Sequence, residues 1–262
     1  MKRAAIYFLI FMAVLFAAFP VVYMLVTSLK TRAMLYDPAM LFFAPTFENY
    51  RAAIEKYGLQ KYLLDTLIVA SANVVVCMVL GTITAYGLYR FRMRHKDKIV
   101  FGILSSRIFP SIALVLPFYI IGLTFGLLDS YLVLVVAFMV FNLPFVVVMM
   151  KSFFENVPVE IEEAAMIDGA SRLRAIYDVV LPQVGTGVFA TAIMCFMFAW
   201  NEFTYALFLT STKVNMVATA IAFFKTERGI LWGEVSALGI IAVAPIVVMS
   251  FLTQKYIVKG MT

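Results

Sequence analysis

The sequence predicts an all-α membrane protein of six transmembrane helices with both termini cytoplasmic. Three observations carry that expectation: a composition too apolar for an aqueous core, six apolar stretches of spanning length, and an uneven distribution of lysine and arginine. Of 262 residues, 64% are hydrophobic and 14% charged, against about 45–50% apolar and roughly 25% charged in an ordinary soluble domain. Crossing a hydrocarbon layer of about 30 Å takes roughly 20 helical residues. Runs of that order lie at 5–27, 66–89, 99–126, 131–150, 185–209 and 235–253. Four contain no Asp, Glu, Lys or Arg, and the other two contain one each, Arg107 and Glu202. Barrel strands would alternate polar and apolar residues over about ten positions, which these runs do not.

The first run follows Met1-Lys2-Arg3 and is too long for a cleaved signal peptide, so it reads as a retained helix. Loop 28–65 is long enough for short helices around residues 47–57. Loop 90–98, RFRMRHKDK, resembles a nucleic-acid patch in isolation. Between two spans it reads as a positive-inside anchor, and no nucleic-acid partner is inferred. In the third run Pro110 and Pro117 predict kinks, and Gly122 and Gly126 form a small-xxx-small pair suited to close packing. Segment 210–234 holds an apolar run, 216–224, too short to span and so interfacial or re-entrant.

With six helices the termini share a side. The segments there hold twelve Lys and Arg, against three in the two shorter loops opposite and five in loop 28–65. Long loops count little in this balance, so the termini are assigned to the cytoplasm. The net charge of +6 reflects this bias and attraction to anionic lipid headgroups.

Segment 151–184 is unlike the other loops, carrying six of the fifteen acidic residues. Asn156 and Pro158 signal a helix start, followed by Glu160, Glu162 and Glu163, where carboxylates favour a helix N-terminus. Asp168-Gly169 signals its end, giving a helix over 159–167. Ser171 caps a second helix to about Val180, which Pro182 should break. Two capped helices suit docking, whereas a plain connector between antiparallel helices needs only a few residues. Ala164 and Ala165 allow close approach, and the carboxylates offer charges to a basic partner.

Catalytic chemistry is poorly supplied. His95 is the single histidine and lies in a loop. Cys77 and Cys195 fall inside spans, and no phosphate-binding glycine-lysine loop occurs. The chain is expected to contain no catalytic or metal site and no cofactor of its own. Arg107 either lines a pathway or braces the bundle, and Glu202 with Asn201 and Trp200 forms either a gate or an interhelical polar cluster. Their estimated depths, roughly 12 and 26 Å from the inner face at about 1.5 Å per residue, argue against a direct pair.

Glu163-Ala164-Ala165, Asp168-Gly169-Ala170-Ser171 and Leu181-Pro182 resemble the EAA loop of ATP-binding-cassette importer permeases, with Val179 where the pattern usually has isoleucine. Ser106-Arg107-Ile108-Phe109-Pro110, Gly126-Leu127-Leu128-Asp129-Ser130, Asn142-Leu143-Pro144-Phe145 and Ala199-Trp200-Asn201-Glu202-Phe203 are similar to segments of maltose-type sugar permeases, the six-helix partner of the pair. Gln254 to Gly260 resembles the start of that family's tail, and the sequence stops at Thr262 where relatives continue several residues.

The resemblance implies a type I importer transmembrane domain over 1–262, with ATPase-coupling loop 151–184 and periplasmic loop 28–65. It implies coupling through Glu163, Ala164, Ala165, Asp168, Gly169 and Pro182, with Arg107, Asn142, Asn201 and Glu202 as pathway or substrate candidates. The partners it implies are a second homologous permease in a heterodimer, two ATPase subunits that bind ATP and magnesium, a periplasmic or lipid-anchored binding protein, a carbohydrate and membrane lipids. The expected setting is the bacterial inner membrane. The alternative, an ion-gradient-driven secondary transporter or channel, would call for internal repeats and intramembrane acids.

Overall fold

Most of the chain is helical, as it must be where no water is present to satisfy backbone amides and carbonyls. The computed structural model describes residues 2–37, 43–226 and 229–260. The first helices are α1 (Lys2–Ser28), α2 (Arg32–Leu35), α3 (Glu48–Glu55), α4 (Leu59–Arg90), α5 (Lys96–Ser105) and α6 (Ser111–Thr124). They are followed by α7 (Tyr131–Glu155), α8 (Val159–Ile167), α9 (Arg172–Ala175), α10 (Leu181–Gln183), α11 (Gly185–Trp200), α12 (Thr204–Leu209) and α13 (Trp232–Gly260). A short antiparallel ladder pairs β1 (Lys225–Thr226) with β2 (Gly229–Ile230). The side chains of the tail resemblance, Gln254 to Gly260, lie outside the described residues.

Helices α1, α4, α7 and α13 are each long and apolar enough to cross a membrane. Two bent pairs meet the same test when each is taken as one span. Lys96–Ile108 and Ser111–Thr124 meet at 91°, and Arg172–Gln183 and Gly185–Trp200 at 78°. The first bend corrects the expected continuous run over 99–126. Pro110 excludes the α conformation at Phe109, whose ψ is 127°, and itself becomes the N-cap of α6. Pro117 sits inside α6, which continues through it. The run over 185–209 is also divided, at Asn201 to Phe203, and Gly126 lies beyond the end of α6.

Contacts fall into two compact units, residues 1–63 with 219–247 and residues 64–218 with 248–262. In the first, Asn49 of α3 donates to the carbonyls of Ser28 and Lys30, both at 2.8 Å, tying α3 to the end of α1. Ser28 Oγ and Tyr50 Oη are 2.7 Å apart. Tyr57 packs on Phe224, in the 3-10 turn Val217–Phe224, with ring centroids 4.6 Å apart. None of the most apolar stretch of α1 is buried against other described residues.

In the second unit α7 is the central helix, burying Leu134, Ala137, Phe138, Asn142, Val146, Met150 and Phe154. Two glycines let neighbouring helices approach it. A Cβ on Gly81 would meet Val146 at 2.5 Å, and one on Gly187 would overlap the Phe153 ring. Buried amides join three helices: Asn142 Nδ2 donates to Asn73 Oδ1 on α4 at 2.6 Å and to the Cys195 carbonyl on α11 at 3.2 Å. Asn73 Nδ2 donates back to the Val135 carbonyl at 2.9 Å.

At the Ser130 end of α7, Asp129 has a φ of 58° and takes hydrogen bonds from the backbone amides of Ser211, Thr212, Lys213 and Val214 at 2.9–3.2 Å. Beside it Asp65 accepts from Tyr131 Oη at 2.7 Å and from the Asn215 amide at 2.8 Å. Burial opposes the Asp129 charge, but the four amides outweigh it and hold the carboxyl well below the ordinary carboxylate range.

Gly187→Ala should therefore force α11 off α7 at a cost of about 1–3 kcal/mol. Gly185→Ala, whose Cβ meets nothing within 4 Å, should be tolerated. Melting of the two variants in detergent compares them directly. Asp129→Asn should lose about 1–3 kcal/mol by turning a donor toward the amides. Because the folded pKa is depressed, the charge's contribution is complete above the unfolded value near 4 and is lost as pH falls toward the folded one. The deficit of Asp129→Asn should thus be constant from about pH 6 to 9, which melting at several pH values checks.

Candidate functional site

The segment between α7 and α11 folds into a hairpin whose geometry follows from its caps. Helix α7 runs to Glu155, so Asn156 closes α7 instead of opening the next helix, its Nδ2 donating to the Ser152 carbonyl at 3.0 Å. Pro158, with ψ 134°, is the N-cap of α8. The exit is a Schellman turn: the Ala170 amide donates to the Ala165 carbonyl at 3.0 Å and the Gly169 amide to the Met166 carbonyl at 3.1 Å. Gly169 sits at φ 92°, where a side chain is strained. Ser171 Oγ then accepts from the Arg174 amide at 3.4 Å and caps α9.

Pro182 does not break the second helix. The chain widens into a π turn over Ile176–Val180 and continues through α10. Pro182 cannot donate to the carbonyl one turn back, and the wider turn makes room for its ring. The bend comes later, at Val184.

A periodicity of three to four residues divides α8 into two faces. Glu160, Glu163, Ala164 and Ile167 are exposed, while Val159, Ala165 and Met166 are half-buried and Glu162 is 2% exposed. That buried carboxylate is met on both oxygens. Tyr86 Oη donates to Oε1 at 2.7 Å, and Arg90 Nε lies 3.2 Å from Oε2 in ion-pair rather than hydrogen-bond geometry. Arg90 Nη2 also donates to Glu163 Oε1 at 3.0 Å. One turn earlier Tyr89 Oη donates to the Val157 carbonyl. The rings of Tyr86 and Tyr89 both rest on Phe154, with centroids 5.9 and 6.2 Å away. The end of α4 thus holds α8 by three side chains on one helical face, and Arg172 places its guanidinium 5.6 Å from the centroid of Phe91.

Anchored this way, the hairpin exposes three large apolar side chains almost fully, Ile167 at 86%, Leu173 at 79% and Tyr177 at 74%, with Ile161 exposed to a lesser extent. Of the residues singled out from sequence, Glu163, Ala164, Asp168, Gly169 and Pro182 are exposed and Ala165 is half-buried on the inner face. Sequence reasoning missed Glu162, Arg90, Tyr86 and Tyr89 as the anchor and the three apolar groups as the exposed surface. The amphipathic period of α8 was the available signal, since it puts Glu162 on the stripe with Val159 and Met166.

The pathway candidates are not brought together. Arg107 lies in the 3-10 turn Ser106–Ile108, exposed, its guanidinium 5.4 and 5.6 Å from the centroids of Phe145 and Phe198. Asn201 closes α11 by donating to the Met197 carbonyl at 2.8 Å, and Glu202 Oε1 accepts from the Tyr205 amide at 3.0 Å to open α12. Asn142 is fully buried and committed to the α4–α7–α11 junction, which removes it from any surface a solute could reach in this conformation.

Residues 77–262 match the family described as the binding-protein-dependent transport system inner membrane component. The chain is 32% identical over 247 residues to the sulfoquinovosyl glycerol transport system permease protein SmoH of Agrobacterium fabrum, an alignment covering 93% of this chain and 87% of that one. It is 32% identical over 248 residues to the trehalose/maltose transport system permease protein MalG of Thermococcus litoralis, covering 93% and 89%. Its fold is similar to a chain in the crystal structure of a bacterial ABC transporter involved in the import of the acidic polysaccharide alginate, with TM-score 0.81, 21% identity and coverage of 97% and 96%. A multi-pass membrane protein whose matches extend nearly end to end, this chain belongs to the family of binding-protein-dependent transport system inner membrane components.

Proposed function

We propose that the chain is one permease subunit of an ATP-driven importer for a sugar or sugar derivative, and that α8 and α9 carry force between an ATPase subunit and the spanning helices. The observation that carries this reading is the hairpin fixed to α4 by Arg90, Tyr86 and Tyr89 while exposing Ile167, Leu173 and Tyr177. The apolar groups enter a cleft on the ATPase, and Ala164 allows close approach there. Through the π turn and α10, the hairpin continues into α11, so displacement at the docking surface reaches a spanning helix. ATP and magnesium are bound by the partner subunits.

The sugar-named relatives support the substrate class, the four long helices with the two bent pairs support six spans, the family description supports insertion in the bacterial inner membrane, and the lysine and arginine bias supports cytoplasmic termini. A second, homologous permease pairs with this one and a binding protein delivers the solute on the opposite face. Arg107, Asn201 and Glu202 remain the pathway candidates, all three with polar groups near helix breaks.

The test is sugar-stimulated ATPase activity of the reconstituted complex. Leu173→Asp with Tyr177→Asp should release the ATPase subunit while the permease stays monodisperse. Arg90→Ala leaves Glu162 buried without its cation, at a cost of about 3–5 kcal/mol to the hairpin's placement. It should lower stimulated activity by about tenfold or more, the scale of a typical coupling energy. Gly169→Val, strained at its positive φ, should act in the same direction. Variants that assemble and respond to sugar as wild type does would exclude the hairpin as the coupling element.

A further inference from the structure

We propose that the turn between α4 and α5 is a binding site for the phosphate of an anionic membrane lipid, an assignment that stands on the turn's own geometry. A cavity of about 500 Å³ is walled by residues 89–94 and Lys96. Residues 90–98 hold five Lys and Arg against one carboxylate, Asp97. Arg90 is engaged by Glu162 and Glu163. The side chains of Arg92, Arg94 and Lys96 make no hydrogen bond or ion pair among the described residues, so the lining of the cavity includes three cationic residues without a carboxylate partner.

The same turn begins α5, a ten-residue helix whose N-cap, His95, supplies no side-chain hydrogen bond. Its first-turn amides and the positive end of its dipole add to the field of the cations. Cations around a helix start make an anion site, and phosphate is the anion that accepts from several donors at once.

The surroundings select a lipid over a soluble phosphate. The turn joins a spanning helix to the first half of a bent span, which sets the cavity where apolar helix surface gives way to water. Along α5, Ile99, Phe101 and Leu104 are exposed, and Phe91 and Met93 are exposed at the cavity itself. A lipid satisfies the cations with its headgroup and this apolar face with its chains, whereas a free anion gains only the first.

Native mass spectrometry of the purified complex, titrated with phosphatidylglycerol or phosphatidylcholine, measures the site directly. Wild type should retain phosphatidylglycerol at least about tenfold more strongly, and Arg92→Gln/Arg94→Gln/Lys96→Gln should abolish the preference, since each basic residue near a surface contributes a several-fold attraction. Arg92→Lys/Arg94→Lys, which keeps the charge, should retain most of it and controls for folding. Millimolar inorganic phosphate should not displace the lipid. Equal retention of the two lipids by wild type, or an unchanged preference in the triple Gln variant, would overturn the site. Displacement by inorganic phosphate would overturn the lipid assignment in favour of a soluble anion.

Discussion

Glu162 has 2% of its surface exposed, a burial that is costly unless both carboxyl oxygens are met, and the arrangement of the hairpin depends on that requirement. The oxygens are met from α4, by Tyr86 and Arg90 one turn apart. A spacing of four residues places both on one helical face, so α8 has to lie against that face of α4 for its carboxylate to be satisfied. A buried ion pair of this kind contributes little net stability compared with an apolar pair, but every displaced position leaves a charge uncompensated. Its effect is to fix position, and position is what the docking role proposed for the hairpin requires.

The remainder of the second unit is organised by close approach rather than charge. Glycines on α4 and α11 let both helices reach α7 at van der Waals distance, and small residues serve this purpose in membranes because apolar attraction between helices is no stronger than attraction to lipid. The buried amides of Asn73 and Asn142 add direction to that packing. Where the packed helices must part, the chain uses breaks with identifiable causes: Pro110 at the 91° bend, and Asn201 with Glu202 between α11 and α12.

Much of this was legible in the sequence because it is local. The bounds of α8 follow from Pro158 and Gly169, the cap of α9 from Ser171, and the spanning helices from length and apolarity alone. What was not legible depends on distant partners. Arg90 reads as one cation in a basic loop, and nothing near it announces a carboxylate 72 positions later, Glu162. Glu162 reads with Glu160 and Glu163 as charge at a helix start, although the helical period separates them. Pro110 announces a kink but not its angle, which depends on how α5 and α6 pack on α7. Pro182 announces a break, and a π turn absorbs it, since a register shift of one residue is invisible to a pattern of side chains.

The two limbs of the Arg90 fork differ in their access to water. Glu163 has 55% of its side chain exposed, whereas Glu162 has 2%. Mobile ions screen exposed pairs over a Debye length of about 8 Å at 0.15 M and about 3 Å at 1 M, and screen buried pairs far less. Rising ionic strength thus weakens the outer limb first while the inner one persists. The hairpin is held at two charged points in dilute solution and at one in strong salt, so its freedom to pivot about Glu162 is graded by the salt around it.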